Sequence, residues 1–273
     1  MHDAIKNRVK ELLTTEQIKG FLALKEENGQ IKPHLFVSPD EVDQLSIGDG
    51  LKAGDARYPL SKILTKLLQN HSEAKFGILV RGCDQRALRA LAAWNQISLQ
   101  QIVAIGVACS EELAQSCNCG LPYPDEYLEG EQAEPRDPRP MEWEEKAPLE
   151  RFKDWRAEFE KCIKCFGCRN VCPMCFCKEC SLESEDVVRK GEIPPDFPMF
   201  HLVRALHMIG RCVNCGGCTR ACPMGIDLRM LSKKLEKIVK DRYGAVSGLD
   251  PETPPAMGTH TLEDPEEFIT EPE

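Results

Sequence analysis

Eight cysteines fall in two matching runs. Cys162, Cys165, Cys168 and Cys172 stand three, three and four residues apart with Pro173 next, and Cys212, Cys215, Cys218 and Cys222 repeat that spacing ahead of Pro223. C-x2-C-x2-C-x3-C-P is the pattern of thiolates that hold 4Fe-4S clusters. Three close cysteines take three corners of one cube, and the fourth reaches across to the other. The expected wiring is therefore crossed, with Cys162, Cys165, Cys168 and Cys222 on one cube and Cys212, Cys215, Cys218 and Cys172 on the second. Zinc sites usually gather two separated pairs around one tetrahedral ion, which a repeated triplet does not suit. A disulfide framework belongs to small secreted domains, and Met1 to Leu13 mixes acids and bases without the apolar core of a signal peptide.

Four further thiols are set up by the elements around them. Phe76 to Val80 and Gln101 to Val107 read as buried strands, and the helix between them, opened by Asp84, makes a parallel crossover. Cys83 follows the first strand and Cys109 the second, so both emerge on the sheet edge where ligands bind in open α/β folds. Asp84 and Ser110 are placed to cap the helices that follow, and a helix amino end favours a thiolate. Cys117-Asn118-Cys119 arrives one short helix later. Cys83, Cys109, Cys117 and Cys119 thus make a third cluster available. Cys175, Cys177 and Cys180 stay unassigned, as rival ligands or as a separate site.

The remaining elements are scaffold. A first helix leads to two strands, Gly20 to Leu24 and Ile31 to Val37, around the Asn28-Gly29 hairpin signal. Ser61 reads as the cap of a helix bearing Ile63, Leu64, Leu67 and Leu68. Helices are expected over Leu149–Phe159, Glu183–Lys190, Pro198–Ile209 and Leu228–Val239. Phe152, Trp155 and Phe159 form one apolar stripe for packing, and His201 and His207 read as helix residues, since cysteine already completes both cubes. The fold class is α+β. A small α/β domain with parallel strands (1–128) precedes an α-helical dicluster ferredoxin domain (151–243). An acidic Pro-rich linker joins them (129–150), and a disordered or wrapping acidic tail follows (244–273).

Composition narrows the function. Of 273 residues 42% are hydrophobic, enough for real cores, and no apolar run nears the length of roughly 20 residues that a membrane span needs. Fifteen cysteines without a secretory start point to a cytoplasmic chain that binds metal. The net charge of -9 is concentrated at the end, where Gly248 to Glu273 holds eight acids, five prolines and no Lys or Arg. No basic patch with interleaved aromatics appears, so nucleic acid is not the expected partner. Lys161, Lys164, Arg169, Lys178, Arg211 and Arg220 lie near the cysteine runs, as a solvated surface or as a docking face for an acidic partner that also raises cluster potential.

Tyr58-Pro59, the Gly82-Cys83-Asp84 turn, the Gly106-Val107-Ala108-Cys109 strand end and the cysteine pairs after them resemble the beta subunits of coenzyme F-420 hydrogenases and dehydrogenases, over roughly residues 30 to 125. The cluster half is similar to helical dicluster ferredoxins such as the small subunit of heterodisulfide reductase. The first resemblance implies a 4Fe-4S cluster, with Cys83 and Cys109 among its ligands, and usually a flavin (FAD). It also implies electron exchange between a hydrogenase or formate dehydrogenase partner and a two-electron acceptor. The chain departs from that family after Cys119, where it enters the acidic linker and a flavin-binding member would continue its α/β domain. The expected function is an iron-sulfur electron-transfer subunit of an anaerobic complex, partnered by catalytic oxidoreductase subunits. The alternative is a flavin-dependent reductase subunit, although no complete G-x-G-x-x-G or P-loop is present.

Overall fold

β1 (Phe21–Glu27) and β2 (Gln30–Phe36) form an antiparallel hairpin that pairs Glu27 with Gln30, in a computed structural model that describes residues 2–50, 52–136, 145–189, 191–252 and 254–255. Asn28 and Gly29 take left-handed φ values of 53° and 73°, as a two-residue turn of this hand requires. β3 (Leu45–Ser46) adds antiparallel to β1, β4 (Phe76–Val80) runs parallel to β1, and β5 (Ile102–Gly106) runs parallel to β4. The strand order is β2-β1-β4-β5, with β3 beside β1. α3 (Gly82–Ala93) is the crossover between β4 and β5.

Alternation along β1 sends its side chains to two cores. Phe21 and Ala23 pack with Ile5, Val9 and Leu12 of α1 (Asp3–Thr14), while Leu22 and Leu24 pack with Leu60, Leu64 and Leu68 of α2 (Leu60–Asn70). With helices on both faces, all five residues of β4 are buried, which is why that strand reads as an unbroken apolar run. Each such aliphatic side chain contributes roughly 1.5–3 kcal/mol.

Three local expectations change. β5 is an edge strand, so Ala104 is exposed and burial begins only at Ile105. Ser61 does not cap α2 but lies buried in its first turn, its carbonyl bonded by the Thr65 hydroxyl, while Pro59 takes the cap position. No helix forms over Glu183–Arg189, the described part of the stretch expected to be helical. A 3-10 turn covers Ser181–Glu183, and the Ser184 hydroxyl accepts from the Asp186 N–H at 3.3 Å, a local bond that competes with the helix. Leu182 and Val188 then pack on Phe200.

From residue 145 on, the described residues form helices and no strand. These are α5 (Pro148–Phe159), α6 (Gly167–Asn170), α7 (Met199–Leu206), α8 (Gly217–Arg220) and α9 (Leu228–Tyr243). The two halves share a core in which Ala87, Ala90 and Leu91 of α3 meet Met174, Met208 and Val213. The acidic stretch after residue 128 begins along the sheet, where the Ala108 N–H donates to the Glu129 carbonyl and the Arg136 N–H to the Cys119 carbonyl. Residues 137–144 lie outside the described residues. The start of the tail wraps α3, its Ser247 and Leu249 carbonyls bonded by Arg86 and Arg89, and residues 256–273 lie outside the described residues. No helix among the described residues is long and apolar enough to cross a membrane.

Candidate iron-sulfur centres

The two cysteine runs fold alike. Lys164 and Phe166 take φ of 51° and 58°, and Asn214 and Gly216, fifty positions on, take 62° and 68°. A left-handed backbone costs an L residue roughly 1–2 kcal/mol, so its repetition shows a constraint on both loops. It turns N–H groups inward. The Lys164 N–H donates to Cys162 Sγ at 3.4 Å, and the Asn214 N–H serves Cys212 in the same way. Matching short helices, α6 and α8, then deliver Cys168 and Cys218. Cys172 and Cys222 follow in turns closed by the Arg169 and Thr219 carbonyls, each at 3.2 Å.

One cavity is lined by Cys162, Cys165, Cys168 and Cys222, with Phe200, His201, Ile226 and Leu228 around them. Burial raises the Cys162 thiol pKa, the Lys164 N–H opposes that, and Cys168, Cys222 and Cys165 raise it again. Around the second run, burial pushes Cys218 up to about 12, with Cys215 and Cys212 adding to the shift. Cys172 is raised first by its hydrogen bond with Cys175 and then by burial, and it also feels Cys215. Buried thiols held this close resist ionising together, and a positively charged iron core is what would hold them as thiolates.

His201 adds an independent sign. Its ring is 2% exposed, stacks on Phe159 at 4.0 Å, and has no hydrogen-bond partner for either nitrogen among the described residues. Burial, then Arg204, lowers its pKa to about 4, so the ring enters the cavity neutral with one N–H to give. A buried donor without a partner costs about 1–3 kcal/mol, and a sulfur-rich group in that cavity would accept from it. His201 is a packed helix residue, as expected, and it also forms part of the cavity wall. His207 lies apart, 3.5 Å from the Ser181 hydroxyl.

In the sheet domain Cys83 sits at the amino end of α3 and Cys109 just beyond β5, both on the carboxyl edge of the parallel strands. Ser110 caps α4 (Glu111–Cys117) by accepting from the Leu113 N–H at 3.2 Å. Asp84 serves as the third helical residue, accepting from the Arg81 N–H at 3.1 Å, so Arg81 holds the cap position expected of Asp84. Asn118, at φ 44°, turns Cys119 back beneath α4. The four thiols share one region: burial raises Cys83, which also feels Cys119, and burial raises Cys119, which feels Cys109 and Cys117.

Three arginines reach these sulfurs. Arg57 lies 3.3 Å from Cys83 and 4.0 Å from Cys117, Arg81 lies 3.6 Å from Cys109, and Arg220 lies 3.6 Å from Cys117. Burial works against the charge on Arg57, but Cys83, Asp84, Cys117 and Cys109 outweigh it and hold the guanidinium charged. Arg57 and Arg81 were not legible as site residues. Arg81 adjoins the Gly82-Cys83 turn and Arg57 precedes Tyr58-Pro59, but no spacing rule marks either.

Cys175, Cys177 and Cys180 line a separate cavity of about 460 Å³ walled by Lys62, Lys66, Arg169, Lys178, Arg204 and Arg211. The Cys175 thiol is lowered to about 5 by its hydrogen bond with Cys172, against burial and with help from Arg204 at 3.3 Å. Of the cations singled out by sequence, Arg169, Lys178 and Arg211 face this cavity and Arg220 faces Cys117. Lys161 pairs with Glu158, and Lys164 with the Arg189 carbonyl. In the aromatic stripe, Phe159 is buried against Trp155, while Phe152 meets Phe197 edge-on at 5.2 Å. Among the described residues no three His, Cys, Asp or Glu side chains are placed to hold a single metal ion.

Residues 158–226 match the 4Fe-4S dicluster domain family. That span contains all eight repeated cysteines and His201. The chain is 50% identical over 115 residues, 42% of its length, to F420-dependent formate dehydrogenase 1 subunit beta of Methanococcus maripaludis. It is 42% identical over 104 residues, 38% of its length, to F420-dependent formate dehydrogenase subunit beta of Methanocaldococcus jannaschii. The matched stretches span 29% and 27% of those two relatives. A thiolate-only donor set, inward N–H groups and an unpartnered imidazole fit iron-sulfur clusters.

Proposed function

We propose that this chain relays single electrons within a multi-subunit oxidoreductase of the formate dehydrogenase or hydrogenase kind. Its dicluster half would hold two 4Fe-4S clusters in crossed wiring, and its sheet domain a third. The observation that carries this reading is the cavity that gathers Cys162, Cys165 and Cys168 from one run and Cys222 from the other. Cys212, Cys215, Cys218 and Cys172 are assigned to the second cluster, and Cys83, Cys109, Cys117 and Cys119 to the third. Bound clusters supply one-electron redox chemistry and no site for hydride transfer. The chain's own residues bind them through thiolates, keep water away with Phe200, Ile226 and Leu228, and set the local charge through Arg57, Arg81 and Arg204. A cytoplasmic complex with a formate-oxidising or hydrogen-oxidising catalytic subunit is the setting this implies, and the names of the two relatives, both formate dehydrogenase beta subunits, support the formate-oxidising kind.

The test is anoxic purification with iron, zinc and flavin analysis. About twelve irons, low-potential paramagnetic signals and no turnover by the chain alone are expected. Stoichiometric zinc with little iron would overturn the reading.

A second reading, a flavin-dependent subunit that exchanges electrons with a deazaflavin such as coenzyme F-420, is favoured by one observation. A cavity of about 1110 Å³ in the sheet domain is lined by Asn28, Gly29, Ile31, Asp49, Arg57 and Tyr58 among others, and Arg57 also touches Cys83. Stoichiometric flavin, together with deazaflavin or viologen reduction by the isolated chain, would favour it over the relay.

A further inference from the structure

We infer that the Cys212 group is the middle station of the relay, and that Arg220 is the residue coupling it to the Cys83 centre. This rests on the cluster assignments proposed above.

Arg220 ends α8, two residues beyond Cys218. One of its terminal nitrogens lies 3.6 Å from the Cys117 sulfur of the sheet domain, and the other donates to the Cys215 carbonyl at 3.2 Å. A single guanidinium therefore spans two groups of thiols carried by different halves of the fold. Arg229 reinforces the contact by donating to the Cys117 carbonyl at 2.6 Å. Cys83 and Cys215 face the same cavity of about 670 Å³, and Arg220 lines it too.

The two cysteine runs differ where this contact is made. Position 166 is Phe and position 170 is Asn, whereas their counterparts, 216 and 220, are Gly and Arg. Phe166 packs edge-on against Phe200 within the helical half. A Cβ on Gly216 would already stand 3.1 Å from Arg229 and 3.3 Å from Arg220, so a larger side chain there would displace both arginines. Among the described residues, those lining the Cys162 cavity all lie between 162 and 228, and the sheet-domain side chain that reaches this run, Lys62, donates to the Arg169 carbonyl at 3.2 Å rather than to a thiol of the Cys83 group. An electron arriving at Cys83, Cys109, Cys117 and Cys119 meets the Cys212 group first and the Cys162 group after it. A fixed positive charge between two centres favours the reduced, more negative form of each, so Arg220 should raise both potentials.

The experiment is an EPR-monitored redox titration of the anoxically purified full chain as wild type, Arg220→Met and Arg220→Lys, with iron content measured alongside. Cys162→Ser identifies the signals of its own centre. Arg220→Met is expected to keep its iron, to lower the midpoint potentials of the Cys83 and Cys212 centres together, and to leave the Cys162 centre in place. Arg220→Lys should return most of the shift. Unchanged potentials in Arg220→Met, a shift confined to one centre, or a shift of the Cys162 centre would overturn the coupling while the cluster assignments stood. About eight irons in the wild type would instead remove the Cys83 centre, and the inference with the assignment on which it rests.

Discussion

Arg86 of α3 and Glu236 of α9 form an ion pair at 3.1 Å across the junction of the two halves, both nearly buried, and the same guanidinium bonds the Ser247 carbonyl at 2.9 Å. Glu236 also receives Lys233 at 2.8 Å and the Asn214 side-chain amide, and Asn214 is part of the Cys212 loop. One carboxylate thus connects the sheet domain, the last helix and the loop of the second cysteine run.

Arg86→Met should cost about 3 kcal/mol, because it leaves a buried carboxylate short of its cross-domain partner and frees the start of the tail. The urea midpoint of the anoxic protein reads this, and a change within error would show that the junction is held by its apolar core alone. The pH dependence has a definite sign. Burial works to raise the Glu236 pKa, but Lys233 and Arg86 outweigh it and hold the carboxyl below its usual range. The pair's stabilisation is therefore complete above the usual glutamate value of about 4.3 and is lost as pH falls through the folded-state value. Glu236→Gln should flatten that acid limb.

Replacing Cys172 by Ser tests the crossed wiring. Although Cys172 belongs to the first run, the centre expected to suffer is the one held by Cys212, Cys215 and Cys218, with a loss of up to about four irons. Iron content and EPR of the variant decide, and damage confined to the Cys162 centre would contradict the assignment. Cys175, hydrogen-bonded to Cys172, is a sulfur placed to substitute for it, so the Cys172/Cys175 double variant should lose more than the single one.

His201→Leu should keep full iron and lower the potential of the Cys162 centre alone, since it removes a neutral N–H donor from that cavity and leaves the thiolates in place. Redox titration followed by EPR checks this. An unchanged potential would make His201 a packing residue that stacks on Phe159 and nothing more.

Gly106→Ala should strip the third centre selectively. A Cβ there would collide with the Glu126 carbonyl and stand 2.8 Å from Pro124, so the 121–129 loop must move, and the strand end that carries Cys109 with it. Overpacking of this kind costs about 1–3 kcal/mol. Iron analysis should show a loss limited to the Cys83 centre, and retention of all iron would place Cys109 outside a cluster.

Much of the fold could be read from pattern alone. β4 is a continuous apolar run because helices cover both faces of the sheet, and Asn28-Gly29 specifies the hairpin because only such residues take two left-handed conformations cheaply. The failures are equally physical. Glu183–Arg189 carries helix-forming residues, but the Ser184 hydroxyl accepts from the Asp186 N–H, and Leu182 and Val188 gain more by packing on Phe200. Ser61 looks like a cap by residue type, but α2 starts earlier and buries it.

The cysteine spacing alone determined the chemistry of the dicluster half, because only particular separations let thiolates on a short loop meet the corners of a cube, and that relation is local in the chain. Tertiary structure decided what lies between the centres. Arg57 and Arg81 occupy no telling positions in sequence and meet the sulfurs only once the sheet is assembled, while Arg220, noted in sequence only as a cation near the second run, reaches Cys117 only after the two halves pack together. Contacts between residues a hundred positions apart, such as Arg220 with Cys117, are fixed by how two apolar faces fit, and that fit leaves no periodic trace in the sequence.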